Sequence, residues 1–236
     1  SQIIPDWLHA DGVPRMLEKL KDPDIREKIA AEYRETGRDF SKVIVSYVKR
    51  PGNKEIEGMS VADISDKWEK TVVDTVCKLM IDEQGEAMNI TFWGEEEDVD
   101  TMIQHPAVMP CSDGWVLAPT GQLGSGKPHP RCYGAFPRYL DQYVKKKKLL
   151  TLEEAVRRMT SMPAARLGLQ DRGVLKEGMK ADITVFNPGT VKDLSTFDDP
   201  HRYPEGIEYV IINGSITLEN GEHTGATDGE ILVKQQ

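Results

Sequence analysis

Beyond Gly173 the sequence changes texture. Before it, helical periodicities alternate with short β-branched runs. After it only short β runs remain, at residues 181–186, 209–212, 215–218 and 230–233. Asn213-Gly214 lies between two of these runs, and a two-residue type I′ hairpin favours this pair because both positions take positive φ. Glu219-Asn220-Gly221-Glu222 is a second turn signal. Strands collected at the end of an alternating chain imply a separate β layer beside a mixed α/β part. With 236 residues the chain is long enough to bury a substantial core. It contains no internal repeat and no low-complexity tract.

The earlier part is read from periodicity and caps. Residues 11–36 read as helical, with Met16, Leu17 and Leu20, then Ile25 and Ile29, near helical spacing. Asp22-Pro23 predicts a break and a fresh N-cap. This stretch is highly charged, so residues 1–40 are expected to form a small peripheral helical insert. SKVIVSYV (41–48) reads as a buried strand closed by Arg50-Pro51-Gly52. Ser60 with Asp63 is capping-box-like, and Val61, Ile64, Trp68, Val72 and Val76 extend helical spacing to about Ile81. Acidic residues crowd the first turn of a helix at 95–104, where the helix dipole favours them. AVMPC (107–111) reads as a short strand running into Ser112-Asp113-Gly114, followed by a long Gly/Pro-rich loop over 115–131. Residues 136–144 are helical. The clearest helix spans 151–167, capped by Thr151 with Glu154 three residues on, and ended by Gly168. Residues 41–170 and 171–236 are thereby separated as the α/β part and the β layer.

Bulk properties exclude some functions. The net charge of −9 argues against a general nucleic-acid binder, which carries a basic face. The lysine run at 145–148 reads as the solvated end of a helix. No apolar run approaches the roughly 18 residues of a membrane span. Cys77, Cys111 and Cys132 are odd in number and form no CxxC pair, which fits a reducing, cytoplasmic setting. No signal peptide is recognised, and the first residue is Ser1, so the initiator was removed or the chain is a piece of something longer.

Strand, helix, helix, strand, loop, helix is the order expected of the last third of a (β/α)8 barrel, where catalytic groups sit at the C-terminal ends of strands. Asp113 is the carboxylate in that position; the competing reading is that Ser112-Asp113-Gly114 is an ordinary turn. Lys127-Pro128-His129-Pro130-Arg131 presents an imidazole and a guanidinium on a Pro-stiffened backbone. A planar guanidinium suits bidentate binding of a carboxylate, while a surface arginine and a loop histidine remain the alternative. His9, His105, His129, His201 and His223 form no HxH or HExxH pair, and a zinc site needs three or four ligands. Gly121, Gly124 and Gly126 lack the flanking strand and helix of a nucleotide loop, and no GxSxG elbow occurs.

Several stretches resemble one family. Ser112-Asp113-Gly114, GKPHPRCYGAFPR (126–138) and TLEEAVRRMTSMPAARLGL (151–169) resemble the C-terminal signature of the N-acyl-D-amino-acid deacylases, or D-aminoacylases. GVLKEGMKADITVF (173–186) is similar to the wider metal-dependent amidohydrolase superfamily at the point where the chain leaves the barrel for a small β-sandwich. DDPHRYPEGIEYVIINGSITLENGEHTGATDGEIL (198–232) and PDWLHADG (5–12) again resemble the D-aminoacylases. The resemblance implies the C-terminal part of a TIM-like barrel with a helical insert and β-sandwich strands. It implies hydrolysis of the amide of N-acyl-D-amino acids with one or two zinc ions. Asp113 matches the aspartate that contacts the metal centre and moves a proton from the attacking water to the leaving amine. Arg131 matches the arginine that holds the substrate carboxylate, and His129 lies in the same motif. The family's HxH pair, bridging ligand and later histidines match nothing here, and the stretch from Asp113 to Arg131 is longer than the family's. Half a barrel cannot bury its own strands, so an N-terminal amidohydrolase polypeptide, a split subunit or a nicked fragment, is the expected partner. The alternatives are a hydrolase of cyclic amides, of the dihydropyrimidinase or dihydroorotase kind, and a non-catalytic assembly or binding remnant.

Overall fold

The computed structural model describes residues 3–233. The chain divides into two compact units. One takes the chain up to Trp93 with Ala118–His129 and Phe197–Asp199; the other takes Gly94–Leu117, Pro130–Thr196 and the chain from Pro200 onward.

The first unit contains helices α1 (Gly12–Lys19), α2 (Pro23–Thr36), α3 (Val61–Lys67) and α4 (Val72–Asp82), with strands β1 (Val43–Tyr47) and β2 (Met88–Thr91). The Asp22 side chain accepts from the Asp24 amide, and Pro23 opens α2. Ser60 caps α3 by accepting from the Asp63 amide at 3.0 Å. The helical run that starts there stops earlier than its spacing predicts. Glu69 takes positive φ and Thr71 caps a new helix, α4, by accepting from the Asp74 amide. A β-hydroxyl that bonds a free amide two or three residues on restarts a helix.

β1 pairs antiparallel with β2, with Val43 opposite Thr91 and Val45 opposite Asn89. β2 carries too few residues to show an alternation, and periodicity did not reveal it. The other edge of β1 is bonded to the turn before α3, through Gly58 N to Val45 O and Val45 N to Met59 O. Leu8, Met16, Leu20 and Ile29 join Val43, Val45, Ile64 and Leu79 in the core of this unit. The N-terminal stretch thus contributes to the core through Leu8, Met16, Leu20 and Ile29, which are almost completely buried, whereas Val13 is 46% exposed. Part of the long loop also belongs here. It holds one 3-10 turn, Gly121–Gly124. The Lys127 amide then donates to Ser46 O at 2.6 Å.

The second unit contains α5 (Glu96–Gln104), α6 (Arg131–Arg138), α7 (Leu152–Met159), α8 (Ser161–Leu167) and strands β3 (Ile183–Phe186), β4 (Ile207–Ile212), β5 (Ser215–Glu219) and β6 (Glu222–His223). Pro137 has no amide to donate, and α6 passes into a wider π-helical stretch over Tyr139–Lys146. The lysine run is not simply solvated. Lys145 and Lys146 bind the buried Asp141, and Lys147 binds Glu96 and Asp100. α7 is capped by Thr151, as expected, but the helix predicted to reach 167 breaks at Thr160 (φ −129°, ψ −89°). Gly168 then takes left-handed φ after α8.

β3-β4-β5-β6 form one antiparallel sheet in that order. Asn213 (φ 49°) and Gly214 (φ 92°) make the β4–β5 turn with both φ positive. The last strand of the sheet is Glu222–His223; residues 230–233, expected as a strand, are not one. Their neighbourhood is tied by side chains instead, Arg172 to Glu230 and Asn213 Nδ2 to Asp228 O. Residues 107–111, also expected as a strand, do not form one: Ala107 lies in a turn and 108–111 have no regular structure. A strand exists only through ladder bonds to a neighbour, and among the described residues this segment has none. No helix of the described residues is long and apolar enough to cross a membrane.

Candidate active site

Asp113 and Arg131 come together within the second unit. Arg131 Nη2 lies 2.9 Å from Asp113 Oδ2, with the aspartate side chain 80% exposed and the arginine 44%. Local sequence explains the meeting. Asp113 takes φ +43°, a left-handed backbone that Asp tolerates better than most residues. Gly114 follows and packs so closely against the first turn of α6 that a Cβ there would lie 3.0 Å from Cys132 Cα and 3.1 Å from Arg131 O. A side chain at 114 would be tighter than ordinary contact and would need the start of α6 to give by a few tenths of an ångström. Arg131 is the first residue of α6.

The segment leading to Asp113 is held from behind. Arg158 of α7 is 3% exposed. Its Nη1 donates to Ile103 O at 2.7 Å and to His105 O at 2.9 Å, and its Nε donates to Glu154 Oε1 at 2.7 Å. Hydrogen bonds from Arg157 and Arg158 hold the Glu154 carboxyl down, at about 2. This buried guanidinium thereby ties down the end of α5 and reaches the unpaired segment itself at Val108 O, at 3.4 Å. Sequence reading passed over it, although Glu154 and Arg158 stand at the four-residue spacing of helical ion pairs.

His129 falls in the first unit, where its ring meets Phe197 edge-on at 5.0 Å and Phe197 in turn meets Phe92 at 4.8 Å. His201 has a structural partner: its Nδ1 is 2.8 Å from the Tyr133 hydroxyl, and Tyr203 packs against the Tyr133 ring. Burial pushes the Tyr133 hydroxyl up, with a further contribution from Tyr203. His105 and His223 each accept a local backbone amide at Nδ1, from Ala107 and Gly225.

Asp113 offers one carboxylate, already paired with a guanidinium. Among the described residues no group of three His, Cys, Asp or Glu side chains is placed to hold a metal ion. The donors among the described residues therefore do not make up a zinc site, which needs three or four. The arrangement can present a carboxylate as proton acceptor beside a cation suited to a second carboxylate.

The Amidohydrolase family model matches residues 10–218, and the chain belongs to that family. It is 39% identical over 160 residues to an N-acyl-D-glutamate deacylase of Alcaligenes xylosoxydans xylosoxydans, covering 68% of this chain and 30% of that protein. It is 35% identical over 180 residues to a D-aminoacylase of the same organism, covering 76% and 35%. Its fold is like the crystal structure of an N-acyl-D-glutamate deacylase from Bordetella bronchiseptica, complexed with zinc and a phosphonate mimic of the tetrahedral intermediate. The TM-score is 0.67 at 34% identity, over 81% of this chain and 38% of that one. The fold is thus the amidohydrolase mixture of helices and sheets. The chain spans about a third of the length of the curated relatives it matches.

Proposed function

We propose that this chain is the C-terminal part of a metal-dependent hydrolase that cleaves the amide bond of N-acyl-D-amino acids. Residues 1–40 are its helical insert, 41–170 the closing strands and helices of a TIM-like barrel, and 171–236 strands of a small β-sandwich. The observation that carries the reading is the Asp113–Arg131 pair at 2.9 Å, in stretches that resemble the D-aminoacylase signature on a chain 39% identical over 160 residues to an N-acyl-D-glutamate deacylase. Asp113 takes the proton of the attacking water and returns it to the leaving amine. Arg131 grips the substrate carboxylate with its planar fork, and His129, which lies in the same sequence motif, is the second residue proposed to bind substrate. Zinc, one or two ions, is held mainly by ligands outside this chain, with Asp113 the one donor proposed from it.

An N-terminal amidohydrolase polypeptide is the proposed partner. Two features support it. Val185 and Ile216 of the β3–β6 sheet are 40% and 43% exposed, as in one layer of a sandwich seen without the other. Val116, just beyond the unpaired segment and Asp113, is 91% exposed. The three free thiols support a reducing, cytoplasmic setting.

Native mass spectrometry with metal analysis, followed by assay against N-acyl-D-amino acids, hydantoins and dihydroorotate, tests the reading. A complex with a second amidohydrolase chain, zinc and turnover of N-acyl-D-amino acids alone is expected. Turnover of a cyclic amide, or a metal-free chain without a partner, overturns it.

A further inference from the structure

Gly134 lies inside α6, where its φ is not positive and any residue would fit the backbone. A glycine within a helix costs roughly 1 kcal/mol relative to alanine, so backbone freedom does not account for it. Space does. A Cβ built on Gly134 falls inside the carboxylate of Asp193, which is seated directly on the helix backbone. Asp193 is itself fixed: its Oδ1 accepts from the Ser195 amide at 2.9 Å, and the Ser195 hydroxyl is buried and donates to Pro200 O at 2.6 Å. Two residues before Asp193, the buried Val191 packs with Tyr139 and Tyr143 of the π-helical stretch that continues α6. On a helix, positions three and four apart share a face. Arg131, Gly134 and Arg138 therefore form one stripe, with Asp193 docked at its centre.

We infer that Asp193 is a positioning residue: docked on Gly134, it sets the rotation of α6 and so aims the Arg131 guanidinium at Asp113 and at the carboxylate of the substrate. This rests on the deacylase reading of Arg131. Burial pushes the Asp193 carboxyl up while the Ser195 amide and the Arg138 charge pull it down. Gly134→Ala drives the helix off its seat. Asp193→Ala leaves the helix unseated without a clash. Asp193→Asn keeps the shape and the oxygen that accepts from Ser195.

The test compares these variants and the double variant Gly134→Ala/Asp193→Ala in the protein as assembled with its partner, using an N-acyl-D-amino acid and the corresponding N-acyl amine that lacks the carboxylate. The expected result is a KM raised about tenfold or more for the acid in Gly134→Ala and Asp193→Ala, with kcat within about threefold. KM for the amine does not change. Asp193→Asn stays near the parent, and the double variant recovers part of the loss of Gly134→Ala. An unchanged KM for the acid, or an equal rise for the amine, overturns the inference. If the parent turns over neither compound, the deacylase reading fails by itself, and iodoacetamide labelling of Cys132, next to Arg131, decides the positioning. Faster labelling in Gly134→Ala, reversed in the double variant while buried Cys77 stays unlabelled, supports it; unchanged labelling, or labelling of Cys77 together with Cys132 in both Asp193→Ala and Gly134→Ala, overturns it.

Discussion

Arg158 donates from Nη1 to the carbonyl oxygen of Ile103 at 2.7 Å, and the same nitrogen reaches His105 O at 2.9 Å. One buried guanidinium thereby holds the segment that runs into Asp113. Arg158→Met fills similar volume but leaves both carbonyls without their donor. The expected loss is about 2–4 kcal/mol of stability, from buried acceptors left unsatisfied. Chemical denaturation followed by circular dichroism measures it. Arg158→Lys recovers only part, because a point charge cannot reproduce the fork.

Asp113→Asn leaves the fold intact, because the side chain is 80% exposed and Asn tolerates positive φ. Under the deacylase reading its kcat falls by about 10²–10⁴, the usual worth of a positioned proton carrier. Arg131→Met instead raises KM by about 10–100-fold, the loss of a charge-assisted pair. Steady-state kinetics of each variant separates the two roles, and an unchanged kcat in Asp113→Asn removes Asp113 from the chemistry.

Stability falls at both ends of the pH scale. Glu154 is held at about 2 in the fold against 4.5 for the free group, by hydrogen bonds to Arg157 and Arg158. The unfolded chain binds the proton first, so this contribution is present above pH 4.5 and is lost as pH falls from there towards 2. Asp141 adds to the same limb: burial raises its carboxyl, but Lys146 and Lys145 outweigh this and hold it low. Cys77 shows the opposite sign. Burial pushes its thiol from 9.0 up to about 11, so its contribution is present below pH 9 and is lost as pH rises towards 11. Thermal melts across pH show the acid limb flattened in Glu154→Gln and the alkaline limb flattened in Cys77→Ala.

Glu83 is 1% exposed and accepts from the amides of Lys49 and Arg50 at 2.7 and 2.8 Å and from Asn53 Nδ2 at 2.5 Å. It ties the turn after β1 to the end of α4. Glu83→Ala is expected to cost about 2–4 kcal/mol by leaving these donors unsatisfied. Hydrogen exchange at Lys49 and Arg50 is expected to rise with it, whereas Glu83→Gln retains part of the protection.

Short-range chemistry is what the amino-acid order reveals. The caps at Asp22, Ser60 and Thr151 and the Asn213-Gly214 turn each depend on atoms within a few residues, and all are found where they are expected. The family motifs were equally legible, because Asp113 and the stretch containing His129 and Arg131 are contiguous runs. The breaks at Thr71 and Thr160 were missed because apolar spacing continues straight through them. Strand β2 is too short to carry a period, and residues 107–111 have the composition of a strand without a neighbour to pair with. The Asp113–Arg131 pair, the Arg158 clasp and the seating of Asp193 on Gly134 join groups far apart in the chain. No local pattern encodes such meetings. They arise only when packing closes the intervening loops, and the physical reason is steric as much as electrostatic: two glycines, 114 and 134, leave the space that lets backbone and carboxylate approach α6.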